Sequence, residues 1–390
     1  MRTVVVVCPQ ERDRQLIAAA GLDRDYEVRY VGDDLDRLDH VDAEALLDEC
    51  LAGPGDAVVG TKDRSALLAA IVAERRGLPG PSPRALVALQ HKPRAREIEH
   101  AVVPEATPAS FVVDGRTPPF SPPYFVKPAV GRLSQGARRV DDLEALEASA
   151  DTYAEGYGRL AALAGFDAGG FGGHVAEELL TGREVTLEGY VHSGRVKTIG
   201  ITDSLKYPGT NSFEAFAYPT ELPGERQDEL GAVATRLLPA FGFDAGFFNI
   251  EFFVPDDGPA RLIEVNGRIA SQFAPLIQAT HGRSTYELLF ALASGDDPEW
   301  DAHAPHGAAI SYVLRRFDDA LVETVPEPAE GLEVLVGPGA RLAEQGAAND
   351  VASFRLAIVY EWGETREEAL QRARERAAAL SFRLAPAAPR

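Results

Sequence analysis

Residues 245–273 read AGFFNIEFFVPDDGPARLIEVNGRIASQF. Two runs rich in Phe, Ile and Val flank PDDGPA (255–260), a turn by composition, so the segment predicts an antiparallel β-hairpin. Symmetric pairing about the turn sets Val254 against Arg261, Glu251 against Glu264 and Asn249 against Asn266. Side chains alternate faces along a strand, so the two glutamates and two asparagines share one face and the apolar residues take the other. Carboxylates directly opposite one another repel unless a cation lies between them or one takes a proton. Magnesium, a hard ion held by one or two carboxylates plus substrate phosphates, removes that conflict. A solvated polar face is the other reading of this fragment taken alone. Arg268 lies two residues beyond Asn266, where a guanidinium would stabilise charge developing on a phosphoryl group or a tetrahedral centre.

Upstream, TVVVVC (3–8), EVRYVG (27–32) and DAVVGT (56–61) are Val-rich strand candidates alternating with helical patterns near 12–21, 42–51 and 65–77. Strand and helix in alternation predict a parallel sheet flanked by helices, an open Rossmann-like unit. GLPGPSPRAL (77–86) reads as a linker or tight turn before a helix, and a helix follows Pro93 to about His100. Between 124 and 200 the pattern is β-rich with glycine turns, interrupted by a helical DDLEALEASADTYAEG. The glycine-rich FDAGGFGG (166–173) has no apolar period and is expected to be mobile. Helices are expected at 225–240 and 284–295, then strands AAISYVLRRF and FRLAIVYEWG. The helix TREEALQRARERAAAL closes the chain, with Thr365 and Glu368 at capping-box spacing.

A chain of 390 residues has room for several domains. No uncharged apolar run reaches the roughly 18 residues of a membrane span, and MRTVVVVCPQ is too short for a signal peptide. A cytoplasmic location and no membrane partner are expected. Cys8 and Cys50 are the only cysteines, too few for a disulfide framework or a cysteine zinc cluster. The net charge of -21 argues against nucleic acid as a partner. Lysine is rare, with only Lys62, Lys92, Lys127, Lys197 and Lys206, so a lysine in a special context carries information.

One such context is YFVKPAVGRLSQG, where a strand carrying Lys127 runs into Gly131, Ser134 and Gly136. Glycines let backbone amides approach a polyphosphate, and a neighbouring lysine neutralises its oxygens. Neither a P-loop nor a dinucleotide-binding GxGxxG is present. In HVAEELLTGREVTLEG (174–189), Glu177, Glu178 and Glu184 could accept from an adenine amino group and ribose hydroxyls while the Leu179 backbone reads the base edge. Exposed acids at a strand end are the alternative reading of that piece alone.

Taken together, Lys92, Lys127 with its glycine loop, the EEL…GRE segment, Glu251 and Glu264-Val-Asn266-Gly-Arg268 resemble the ATP-grasp superfamily over about residues 90–290. The resemblance implies an α/β (α+β) ATP-grasp fold: a Rossmann-like pre-ATP-grasp domain (1–90), an ATP-grasp domain (91–300) with a mobile lid subdomain at about 120–190, and a C-terminal α/β domain (301–390). It implies that Lys92 and Lys127 contact nucleotide phosphates under a flap formed by 131–136. Glu177 and the Leu179 backbone would meet adenine, and Glu184 the ribose, with Glu178 a further nucleotide-binding candidate. Glu251, Glu264 and Asn266 would hold magnesium, or manganese in its place, and Arg268 would steady an acyl phosphate. The family pattern usually has proline between the Asn and the Arg, whereas this chain has Gly267, which leaves the aim of Arg268 open.

The implied activity is an ADP-forming carboxylate–amine ligase resembling the L-amino acid ligases, acting on small-molecule acid and amine substrates with ATP, and a homodimer is the default assembly. Asp203, Lys206, Asn211, Ser212, Ser271 and Gln272 are candidate substrate contacts. A biotin-carboxylase-like carboxylase and a catalytically silent nucleotide-binding protein are the alternatives. The former would need a separate carrier, because Met1 is the sole methionine and no Met-Lys-Met attachment signature exists.

Overall fold

The computed structural model describes residues 1–35, 41–132, 135–143, 152–300, 306–344 and 353–387. Strands β1 (Arg2–Val7), β2 (Tyr26–Val31) and β3 (Ala57–Val59) form a parallel sheet in the order β2-β1-β3. Helices α1 (Glu11–Ala19), α2 (Ala43–Leu51) and α3 (Asp63–Arg76) alternate with them. Parallel strands need such crossovers, and β1, buried along Val4–Val7, is apolar on both faces for that reason. The Pro- and Gly-rich connection then enters α4 (Pro83–Gln90) and α5 (Lys92–Val102), each with proline in its first turn, where the missing N–H has no helical partner to lose.

Strands β4 (Ser110–Val112), β5 (Tyr124–Pro128), β6 (Arg138–Val140) and β7 (His174–Glu178) form an antiparallel sheet in the order β4-β7-β5-β6. Helix α6 (Thr152–Ala162) lies between β6 and β7 in sequence; the start of the expected helix there, and Ser134 of the glycine loop, fall outside the described residues. The segment 166–173, expected to be mobile, is seated by Phe171, which is buried and packs edge-on against His91 and Tyr157 at 5.7 and 5.5 Å.

The largest sheet runs β12-β11-β8-β9-β10-β13-β16-β15. Its strands are β8 (Arg183–His192), β9 (Arg195–Lys206), β10 (Phe213–Tyr218), β11 (Gly246–Val254), β12 (Arg261–Asn266), β13 (Ala308–Arg316), β15 (Leu332–Val334) and β16 (Phe354–Gly363), all neighbours antiparallel. Strand β14 (Ala320–Thr324) pairs with β17 (Arg383–Pro386) as a separate ribbon. Helices α7 (Gly224–Ala240), α8 (Ala274–His281), α9 (Thr285–Ala293) and α10 (Arg366–Ala378) cover the sheet's apolar surfaces. At the start of α10 the Thr365 side chain accepts from the Glu368 amide, but the Glu368 carboxylate accepts from Glu364 instead of Thr365, so the capping box forms only in part.

Alternation along β8, β11 and β12 divides the sheet. Val185, Leu187, Phe248, Ile250, Phe252, Leu262 and Val265 join one core with α4 and α7. Glu184, Thr186, Glu188, Asn249, Glu251, Glu264 and Asn266 take the opposite face. Glu251 pairs with Glu264 and Asn249 with Asn266, in the register expected from symmetry. Toward the turn the expectation fails: Arg261 faces Phe253, not Val254, because a β-bulge leaves Ile263 without a partner on β11. The Ile263 carbonyl instead accepts from Arg96 Nη2 at 2.7 Å and Lys127 Nζ at 3.2 Å.

Candidate active site

The hairpin, α5 and β5 bring opposite charges to one place. Lys92, the first residue of α5, puts Nζ 3.7 Å from Glu264 Oε2. Lys127 on β5 bonds the bulge carbonyl and pairs with Glu177 Oε2 at 2.8 Å. Burial, then the charge of Glu264, pushes Glu251 up to about 8, while Lys92, Lys127 and Arg268 outweigh burial at Glu264 and hold it below the usual range. The two facing carboxyls therefore differ in direction, Glu251 favouring its protonated form and Glu264 its charged form.

The donor set fits magnesium. Among the described residues no group of three His, Cys, Asp or Glu side chains forms a cage, and two carboxylates with the Asn266 amide are the partial set used when phosphate oxygens and water supply the rest. The Asn266 amide lies 3.5 Å from both Glu264 Oε1 and Asn249 Oδ1, so the donors are already gathered.

Arg268 is half-buried, and its Nε donates to Asp63 Oδ1 at 2.8 Å. Gln90 Nε2 donates to the same oxygen at 2.8 Å and lies 3.5 Å from Asn266 Oδ1. Burial works against the Arg268 charge, but Asp63, Glu251 and Glu264 outweigh it, so it stays a cation. Gly267 has a packing reason. A Cβ there would lie 2.4 Å from Leu86 and 3.1 Å from Leu89 of α4, and close approach to this helix places Arg268 beside Asp63 at the start of α3.

Other expected contacts divide. Glu184 pairs with Lys206 at 2.9 Å on the polar face. Leu179 is an exposed apolar residue just after β7, and Gly136 has a left-handed φ of 74° in the glycine loop with Gly131. Glu177 is turned into the protein. It is 1% exposed, with Arg96 at 2.7 Å and Lys127 at 2.8 Å occupying its two oxygens, so it holds Lys127 in place. Glu178 accepts from the Ala109 amide at 2.8 Å and pairs with Arg261. Asp203 is buried and tied to Arg183, Arg366 and Thr220, joining elements instead of facing an open space. Ser212 is likewise buried against Ser353 at 2.7 Å, while Asn211 lies exposed in the same turn. Ser271 accepts from Lys62 Nζ at 3.2 Å, and Gln272 Nε2 donates to Ser311 at 3.1 Å. Four of the five lysines thus gather around the polar face; Lys197 is exposed on β9.

Sequence reasoning missed Asp63, Gln90, Arg96 and Glu188. The first three come from other elements and carried no local signal. Glu188 had one: it follows Glu184 and Thr186 at alternate positions, on the same face as Glu251.

This arrangement coincides with a recognised domain. Residues 120–275 match the family model of the ATP-grasp domain, a span that holds Lys127, Glu251, Glu264 and Arg268. The chain contains an ATP-grasp domain. No curated protein matches the chain in sequence. Among solved structures, the L-amino acid ligase from Bacillus licheniformis superposes with a TM-score of 0.78 at 19% identity, covering 98% of each chain. Phosphoribosylglycinamide synthetase from Anaerococcus prevotii gives 0.68 at 13% identity, covering 98% of this chain and 99% of the other. The biotin carboxylase domain of the Hydrogenobacter thermophilus 2-oxoglutarate carboxylase, in complex with MgADP, ADP and bicarbonate, gives 0.69 at 16%, covering 98% and 91%. At these identities the likeness is one of fold. The parallel sheet precedes the matched span, and the ribbon and α10 follow it. No helix among the described residues is long and apolar enough to cross a membrane.

Proposed function

We propose that this protein is an ATP-dependent, ADP-forming carboxylate–amine ligase that activates a small acid as an acyl phosphate and joins it to an amine. The observation that carries this reading is the convergence of the facing Glu251 and Glu264 with Lys92, Lys127 and Arg268 on one polar sheet face. Two further points support it: the ATP-grasp match, and the fold likeness to an L-amino acid ligase and to a carboxylase domain described with MgADP.

Glu251, Glu264 and Asn266 would hold the magnesium, whose charge would lower the barrier for a transfer between anions. Lys92 and Lys127 offset phosphate charge and fix the nucleotide, and Glu177 with Arg96 keeps Lys127 aimed. A substrate carboxylate oxygen attacks the terminal phosphorus, and the bond to the bridging oxygen breaks with ADP leaving. The amine nitrogen then attacks the acyl carbon, the acyl C–O bond breaks, inorganic phosphate departs and the nitrogen loses a proton. Arg268, held by Asp63, stabilises negative charge in both steps.

ADP release measured with magnesium and ATP across amino acids, singly and in pairs, with product masses, tests the reading. A product mass equal to the two acids less water supports it. ATP binding without turnover on any acid and amine sinks it, and stimulation by bicarbonate with free biotin would substitute a carboxylase. Arg268→Ala is expected to lower kcat by at least about 100-fold while ATP still binds by calorimetry; near-normal turnover removes its role.

A further inference from the structure

The large sheet holds a second pair of like charges, opposite in sign to Glu251 and Glu264. Arg315 of β13 faces Arg355 of β16 in the strand register. A β-bulge sets them there: Leu314 faces Ala357, so regular pairing would bring Leu356 against Arg315. Instead Leu356 is buried with Val322 and Val336, and Arg355 takes the place opposite Arg315. The side chain of Arg315 shares the polar face of the sheet. Ser311, four residues before it, accepts from Gln272 and lies in one row with Phe216, Ser204 and Glu184.

Like charges directly opposite on a sheet are destabilising, and neither guanidinium has an acid against it among the described residues. Arg315 is 9% exposed; its Nε donates to the Phe213 carbonyl and its Nη1 to Ser353 Oγ, both at 2.9 Å, which leaves Nη2. Arg355 is half-buried, its Nε is shut from solvent, and its side chain makes no hydrogen bond or ion pair among the described residues. The acid that acts on it through space, Glu333 of β15, is held by Arg12 of α1, with Nε at 2.8 Å. Burial and then Arg355 push Arg315 down to about 10, and burial and then Arg12 lower Arg355. The row Arg12, Arg355, Arg315 thus has Glu333 as its one carboxylate among the described residues, in a chain whose net charge is -21.

Facing carboxylates call for a cation, and facing guanidiniums call for an anion. Two planar forks suit a group with at least two oxygens, a carboxylate or a phosphoryl group. We propose that Arg315 and Arg355 form an oxyanion-binding site on the polar face of the large sheet, taking a carboxylate or phosphoryl group. The site stands on these residues alone and does not depend on the ligase reading.

The test is thermal unfolding and calorimetry of the full chain, without magnesium or nucleotide, in phosphate and in succinate against chloride at equal ionic strength, which removes general screening. An anion that binds only the folded chain raises Tm with its concentration. The wild type should show that rise with at least one of the two anions, and Kd should weaken by at least about 10-fold in Arg355→Met. In chloride, Arg355→Met should melt above the wild type, because the repulsion is gone. Lys127→Ala, which alters the site at the Glu251–Glu264 hairpin, should keep the wild-type response. Preference for succinate assigns a carboxylate ligand, and preference for phosphate a phosphoryl one. Arg355→Lys keeps the charge without the fork and should also bind weakly, which supplies the comparison should Arg355→Met not fold. An equal rise in the wild type and the Arg355 variants overturns the assignment, and so does the absence of a rise with either anion in the wild type.

Discussion

Glu177 and Glu188 are both 1% exposed, yet they answer protons in opposite ways. At Glu177, Arg96 and Lys127 outweigh burial and hold the carboxyl down to about 2, from an ordinary 4.5. The unfolded chain therefore binds the proton more readily, so this pair's stabilisation is complete above about pH 4.5 and is lost as pH falls through about 2. Glu177→Gln should cost about 3 kcal/mol or more at neutral pH by denaturant unfolding, with the deficit shrinking toward pH 2. At Glu188 the folded state holds the proton more tightly, up to about 8, so stability drains away as pH rises from 4.5 to 8. Arg268 is the charged group acting on it, with Asn249 and the Ala270 amide alongside. Glu188→Gln should accordingly be more stable than the wild type without substrate, by up to about 4 kcal/mol above pH 8 and by little below pH 4.5. A gain that did not grow with pH would show that Glu188 is not the group titrating.

Between elements, the decisive contact is α4 against the exit of β12. A methyl group at Gly267 would lie 2.4 Å from Leu86 and 3.1 Å from Leu89. Gly267→Ala should therefore cost about 1–3 kcal/mol and lower kcat by moving Arg268 from Asp63. Shortening the neighbour in Gly267→Ala/Leu86→Ala should restore turnover more than stability; no recovery of kcat would mean that Leu86 does not set the arginine's position. This level also shows what could be read in advance. Alternation and a turn-rich loop made the pairing of Glu251 with Glu264 legible, because those signals are local. The bulge at Ile263 was not, since its carbonyl is claimed by Arg96 and Lys127 from other elements. Asp63 and Gln90 were hidden for the same reason, reaching Arg268 and Asn266 only once the parallel sheet docks. The partners of Glu177 were not legible either, because an acid at a strand end looks the same whether it meets adenine or anchors a lysine. Glu188 shared the alternation of Glu184 and Thr186 and could have been found by extending the face along β8.

Across the whole molecule, the parallel sheet and the large antiparallel sheet are not separate bodies with separate cores. Val5 of β1, Leu86 of α4, Tyr157 of α6 and Phe248 of β11 belong to one apolar cluster, and Asp13 of α1 accepts from Tyr286 of α9. Residues Lys62 and Asp63 thereby enter a site whose remaining parts run from residue 90 onward. The distribution of cations follows the same plan. Arginine serves the surface and the ties between elements, while Lys62, Lys92, Lys127 and Lys206 sit around the polar face and Lys197 alone lies exposed elsewhere. Amine-reactive reagents should then behave on this protein almost as site-directed ones. Acylation followed by peptide mass mapping should modify Lys197 at once, whether or not nucleotide is present, and the other four slowly, with magnesium and ATP shielding Lys92 and Lys127. Because Lys197 stands apart, a dye or surface tether placed there would leave the chemistry untouched, giving, beside the exposed amine of Met1, a natural handle on an otherwise arginine-coated molecule.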